Sequence, residues 1–149
     1  MRPLLLMLML VRCLTSLDFS NNQLGSSIPD SFYSLTELKE LYLFKNEFTG
    51  TLSSLIGQFD SLQRFHISHN EFTGPFPKEL RSDAGSVNGI RPIKYFNIYS
   101  NQFTGTIPSE LRWRKCDYFD IGRNKLTGTL PKDLGVKFVI TVCVSFMLL

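Results

Sequence analysis

The sequence predicts an α/β-type solenoid: a coil of about five repeats of 24 residues whose short strands stack side by side into one parallel sheet. Three observations predict it. An eight-residue frame returns five times, an asparagine holds a fixed place in every copy, and a Thr-Gly segment follows that asparagine in four of the five.

The frame reads apolar, variable, apolar, two variable, asparagine, variable, apolar, and it occupies residues 17–24, 41–48, 65–72, 96–103 and 119–126. Its asparagines are Asn22, Asn46, Asn70, Asn101 and Asn124, at steps of 24, 24, 31 and 23. The long step carries seven extra residues, assigned to a surface loop at 81–89 because that stretch is rich in small and polar residues. A solenoid accommodates such an insertion without disturbing the stack.

Side chains of a strand alternate between faces, so Leu41 and Leu43 point inward while Tyr42 and Phe44 point outward. One coil cannot bury its apolar row alone; like positions of successive coils must shelter one another. The asparagine follows the strand, where the chain turns inward. Its amide both donates and accepts, so it satisfies backbone groups left unpaired at the turn, and the five together form a structural ladder.

The second half of the repeat is Phe48-Thr49-Gly50-Thr51-Leu52, Phe72-Thr73-Gly74-Pro75-Phe76-Pro77, Phe103-Thr104-Gly105-Thr106-Ile107-Pro108 and Leu126-Thr127-Gly128-Thr129-Leu130-Pro131. The first copy, Leu24-Gly25-Ser26-Ser27-Ile28-Pro29, carries its glycine one position early. The glycine suits a left-handed or closely approached backbone, and the closing proline belongs outside the sheet hydrogen bonds. Pro108, Ser109, Glu110 and Leu111 have the composition of a helical start on the far side of the coil.

Taken together, the two halves resemble the plant-type leucine-rich repeat, whose members include receptor-kinase ectodomains and polygalacturonase-inhibiting proteins. The resemblance runs from about residue 14 to residue 134. It implies a right-handed coil with its parallel sheet on the concave side and short helical turns and irregular structure on the convex side. It also implies recognition of a partner without catalysis.

The repeat domain spans 14–135, between apolar segments at 1–13 and 136–149. Arg2 followed by the apolar run 3–11 resembles the start of a secretory signal, yet no small-residue cleavage motif precedes the first repeat. A partial repeat capping the stack, or a piece of a longer receptor, is the alternative. Residues 138–149 carry no charge and as a helix would reach only ~18 Å of a ~30 Å hydrocarbon core. They read either as a sixth strand closing the column, given their β-branched content, or as a lipid-anchor signal. The expected location is secreted or at the cell surface. The lack of an Asn-x-Ser/Thr sequon and of the paired cysteine caps of many such proteins counts against secretion, and the alternative location is cytoplasmic.

Composition narrows the chemistry. An apolar fraction of 43% with thirteen phenylalanines supplies a core, and a net charge of +3 with mixed signs lacks the field nucleic acid requires. Cys13, Cys116 and Cys143 are too scattered for a zinc site or a disulfide framework, and two or three of them read as buried or half-buried thiols. His66 and His69 lack a third ligand nearby and read as a solvent-facing pair. No nucleophile elbow, phosphate loop or kinase signature occurs, and Asp18, Glu40 and Asp120 fall on separate strands. Arg112-Trp113-Arg114-Lys115 reads as a solvated convex turn or as a grip on an acidic lipid or partner. No enzyme, metal or cofactor is expected.

What remains is the outward row: Asp18, Ser20, Tyr42, Phe44, His66, Ser68, Asn97, Tyr99, Asp120 and Gly122. Exposed Tyr42, Phe44 and Tyr99 serve solubility poorly and contact surfaces well. The candidate ligand-binding residues are therefore Tyr42, Phe44, Arg64, His66, Asn97, Tyr99, Asp120 and Arg123, with Lys45 and His69 completing a polar rim. The bland reading is that these aromatics only cover the sheet. Five strands ~4.8 Å apart and ~10 Å long offer ~240 Å², well under the ~800 Å² per partner of a stable interface. The expected partner is a protein or peptide, with other leucine-rich repeat proteins and membrane association as further options. Rival functions are inhibition of a glycan-degrading enzyme and self-association in a wall or membrane structure.

Overall fold

The computed structural model describes residues 13–80, 93–108 and 116–129. Nearly all of the apolar start at 1–13, the insertion at 81–89, the turn after Pro108, the basic cluster at 112–115 and the tail at 136–149 lie outside the described residues.

Ten strands follow in order: β1 (Ser16–Asp18), β2 (Gly25–Ser26), β3 (Glu40–Tyr42), β4 (Glu47–Phe48), β5 (Arg64–His66), β6 (Thr73–Pro75), β7 (Tyr95–Asn97), β8 (Gln102–Thr106), β9 (Tyr118–Asp120) and β10 (Lys125–Thr127). The odd-numbered strands form one parallel sheet in chain order, so each coil adds one strand beside the last. Register aligns Leu17, Leu41, Phe65, Phe96 and Phe119 across all five. This is the stacking that the five frames predict.

The even-numbered strands form a second parallel face, β2 with β4 and β6 with β8 and β10. The Glu71 and Thr73 N–H groups donate to the Phe48 and Gly50 carbonyls at 2.8 Å and join its two parts. Sequence reasoning treated this Thr-Gly segment only as a turn. It extends because each coil's segment lies beside an identical one, and paired neighbours turn a bend into a ladder. Pro29, Pro77 and Pro108 stand outside the strands, as expected, whereas Pro75 closes β6. The convex turns formed by Asp30–Ser34 and Ser54–Gln58 are 3₁₀ rather than α-helical.

Two aromatic spines run through the interior. Phe65, Phe96 and Phe119 stack with centroids 5.6 and 5.4 Å apart, and Phe48, Phe72 and Phe103 at 6.0 and 6.1 Å. Leu43, Ile67, Ile98 and Ile121 form an aliphatic column between them. Cys116 stands in the column of Leu38, Leu62 and Ile93, a small apolar occupant whose thiol burial pushes up to about 12. Cys13 is exposed, and Cys143 lies outside the described residues. Leu24, in the first coil, is 40% exposed, since no described coil precedes it.

The asparagines staple coil to coil. Asn46, Asn70, Asn101 and Asn124 each donate to a carbonyl of the preceding coil and to their own turn. Each also accepts a preceding-coil N–H, from Leu24, Phe48, Phe72 and Phe103 respectively. Among the described residues the Asn22 side chain bonds only within its own turn, to the Phe19 and Ser20 carbonyls. The residue before each asparagine turns the corner in the left-handed region: Asn21, Lys45, His69, Ser100 and Arg123, with φ between 49° and 55°. Side chains there cost about 1–2 kcal/mol unless they are Gly or Asn, a repeated strain the sequence pattern did not reveal.

Candidate functional site

Three outward rows cover the five-stranded sheet. The middle row, at the last residue of each strand, is Asp18, Tyr42, His66, Asn97 and Asp120, in register. Ahead of it stands Ser16, Glu40, Arg64, Tyr95 and Tyr118, and beyond it Ser20, Phe44, Ser68, Tyr99 and Gly122. The sequence frame began at the inward residue of each strand, so it stopped one position short of Tyr95 and Tyr118. Extending the alternation backward by one residue reveals both.

His66 is the hub. It stacks on Phe44 at 4.2 Å and approaches Tyr95 at 5.5 Å and Tyr42 at 6.4 Å, and Nε2 lies 2.8 Å from Ser68 Oγ. Burial among these rings lowers its pKa to about 4; His69 adds to the depression and Asp18 opposes it. His66 is thus a neutral aromatic near neutral pH, half-buried rather than solvent-facing. His69 is exposed and sits edge-on to Tyr99 at 5.4 Å. Tyr95 and Tyr118 stack at 4.4 Å with planes 6° apart. Burial, then Asp120 and Tyr95, push the Tyr118 phenol up to about 12.

Most polar groups of the floor are engaged. Glu40 pairs with Arg64 at 3.3 Å and accepts from Ser16 Oγ at 3.2 Å. Asp18 accepts the Ser20 N–H at 2.8 Å, and the Ser20 hydrogen bonds hold its carboxyl below the usual range. Asn97 and Asp120 require a correction: they stand in the outward row but are only 7% and 6% exposed. Asn97 accepts the Tyr99 N–H at 2.9 Å and Asp120 the Gly122 N–H at 3.0 Å, so both close turns at strand ends. Burial raises the Asp120 pKa against those bonds. The surface left open is aromatic: Tyr42, Phe44 and Tyr95 around His66, Tyr118 stacked on Tyr95, and Tyr99 beside His69 with Arg123 lying 5.5 Å over its ring.

Among the described residues no three His, Cys, Asp or Glu side chains converge on a metal position. Asp18 and Asp120 stand on the first and fifth strands of the sheet, separated by three others. The floor can stack rings and exchange hydrogen bonds. Among the described residues no helix is long and apolar enough to cross a membrane.

A family model described as Leucine Rich Repeat matches residues 13–35, 37–59, 61–82 and 92–113, more than half of the chain. The chain is 42% identical over 59 residues to a probable LRR receptor-like serine/threonine-protein kinase of Arabidopsis thaliana, covering 40% of the chain and 6% of that relative. It is 35% identical over 68 residues to Receptor like protein 27 of the same plant, covering 44% of the chain and 8% of the relative. Among solved structures, the Arabidopsis receptor kinase HAESA, in complex with the peptide hormone IDA and the co-receptor SERK1, superposes with a TM-score of 0.75 at 27% identity. That match covers 90% of this chain and 22% of the HAESA chain, so the chain spans a small part of each of these three proteins.

Proposed function

Because the chain belongs to the leucine-rich repeat family, we propose that it is a non-catalytic, receptor-like recognition module that takes a protein or peptide partner on the outer face of its five-stranded sheet. The aromatic floor around His66 carries this reading. Phe44, Tyr42 and Tyr95 gather on one imidazole, and Tyr99 of Tyr95's own coil and Tyr118 of the next extend the surface. Such rings give large contact area at small entropic cost, and they dominate contact energies where proteins meet. A face of only ~240 Å² favours an extended peptide segment, or a share in a longer receptor surface, over a second globular domain. HAESA, in complex with a peptide hormone, supports the peptide form of the reading, and the receptor-like relatives support a place at the cell surface.

The test is selection of a displayed random-peptide library on the wild-type chain, with binding then measured against Tyr42→Ala/Tyr99→Ala. Selected peptides should bind the double variant roughly tenfold or more weakly, while its urea midpoint moves little, because both rings lie outside the buried columns. Peptides that bind both proteins equally would place the contact surface elsewhere.

A further inference from the structure

The left-handed corners line one edge of the aromatic floor with side chains. Lys45, His69 and Arg123 are exposed there, one each from the second, third and fifth coils, with Ser100 in the fourth. Among the described residues none of the three is ion-paired; the salt bridge there joins Arg64 to Glu40. The floor's carboxylates are committed, Glu40 to Arg64, Asp18 to the Ser20 N–H and Asp120 to the Gly122 N–H. Tyr99 lies between two of the edge residues, with His69 edge-on at 5.4 Å and the Arg123 guanidinium 5.5 Å over its ring. The edge thus offers N–H donors and two positive charges that, among the described residues, no ion pair neutralises.

We propose that this edge selects an acidic peptide: an extended segment whose apolar side chains rest on the aromatic floor and whose carboxylates reach Lys45 and Arg123, with His69 donating between them. The inference rests on the peptide-binding reading above and specifies the partner's chemistry. Three inter-coil steps of ~4.8 Å separate Lys45 from Arg123, about 14 Å, which is about four residues of extended chain. Carboxylates at positions i and i+4 point to the same side of such a peptide and match the pair.

The probe is acetylated and amidated Glu-Ala-Phe-Ala-Glu, titrated into the isotope-labelled full chain by NMR beside its Gln-Ala-Phe-Ala-Gln and Lys-Ala-Phe-Ala-Lys counterparts. The glutamate peptide should shift the amides of Lys45, His69 and Arg123 and bind roughly fivefold to tenfold tighter than the glutamine peptide, as befits exposed charge pairs. That advantage should vanish at about 1 M salt, where the Debye length is about 3 Å. It should also vanish in Lys45→Gln/His69→Gln/Arg123→Gln, and Lys45→Glu/Arg123→Glu should come to prefer the lysine peptide. Equal binding of glutamate and glutamine peptides overturns the acidic partner while leaving the floor as a peptide site, provided the amides of Tyr42 and Tyr99 still shift. Shifts at Lys45 and Arg123 with oligogalacturonate but not with the glutamate peptide overturn it in favour of an acidic polysaccharide. If no peptide moves either set of amides, both readings fall.

Discussion

Replacing Asn70 tests the staple between coils most directly. The side chain is 8% exposed and makes four bonds: Nδ2 donates to the carbonyls of Leu43 at 2.9 Å, Ile67 at 3.1 Å and Ser68 at 3.2 Å, and Oδ1 accepts the Phe48 N–H at 3.0 Å. Three of those partners have a second bond. Leu43 O also receives Asn46, Ile67 O receives Asn101, and Ser68 O receives the Lys45 N–H. Asn70→Ala therefore strands chiefly one group, the Phe48 N–H, and should cost about 1–3 kcal/mol. Asn70→Asp keeps that acceptor but turns a carboxylate oxygen toward the Leu43 and Ile67 carbonyls, so near neutral pH it should destabilise at least as much as alanine. Burial among carbonyls raises the new carboxyl's folded pKa above its unfolded value of about 3.9. The unfolded chain then releases its proton first, so the penalty grows as pH rises from the unfolded pKa to the folded one and shrinks on acidification. Urea unfolding of wild type and both variants, at neutral and mildly acidic pH, measures these differences. An aspartate variant as stable as wild type at neutral pH would refute the donor role of the ladder, and a harmless alanine would refute the ladder altogether.

Two further predictions concern the second sheet. Ser26 holds φ +98° where the later coils place glycine, because the first coil's glycine comes one residue early. Ser26→Gly should stabilise by ~0.5–1 kcal/mol, the left-handed penalty less the extra freedom of glycine in the unfolded chain, read from the urea midpoint. No gain would mean that the first coil's backbone is relaxed as it stands. Gly74 and Gly105 share a φ near +74°, but a Cβ on Gly74 would meet Thr51 Cγ2 at 2.7 Å, whereas on Gly105 it would find only Pro75 Cβ at 3.8 Å. Gly74→Ala should cost ~1 kcal/mol or more beyond Gly105→Ala, and Thr51→Ser should recover part of that excess in a double-mutant cycle. Equal costs at the two glycines would rule out the contact with Thr51.

The architecture was legible because repetition multiplies a weak local signal. One alternating strand is ambiguous, but five frames with Asn22, Asn46, Asn70, Asn101 and Asn124 in step admit only a stack, and the stack then assigns Leu41 inward and Tyr42 outward. The candidate site was legible in part. Tyr42, Phe44, His66 and Tyr99 follow from alternation alone, and the structure gathers the first two on His66 while Tyr99 lies beside His69; Tyr95 and Tyr118 were missed by a frame that began one residue late.

By itself, then, the sequence determined which residues face the column and which face outward, since side-chain period and repeat length are properties of the chain alone. Only the tertiary structure decided what each outward residue does. Asn97 and Asp120 are drawn down to backbone N–H groups, His66 is enclosed by rings from neighbouring coils, Glu40 is spent on Arg64, and the Thr-Gly segments become strands. The Asn97 and Asp120 turns are local, reaching two residues on, but the rest depend on which side chains the solenoid places ~4.8 Å apart on adjacent coils, a proximity between residues more than twenty positions apart that no local pattern records.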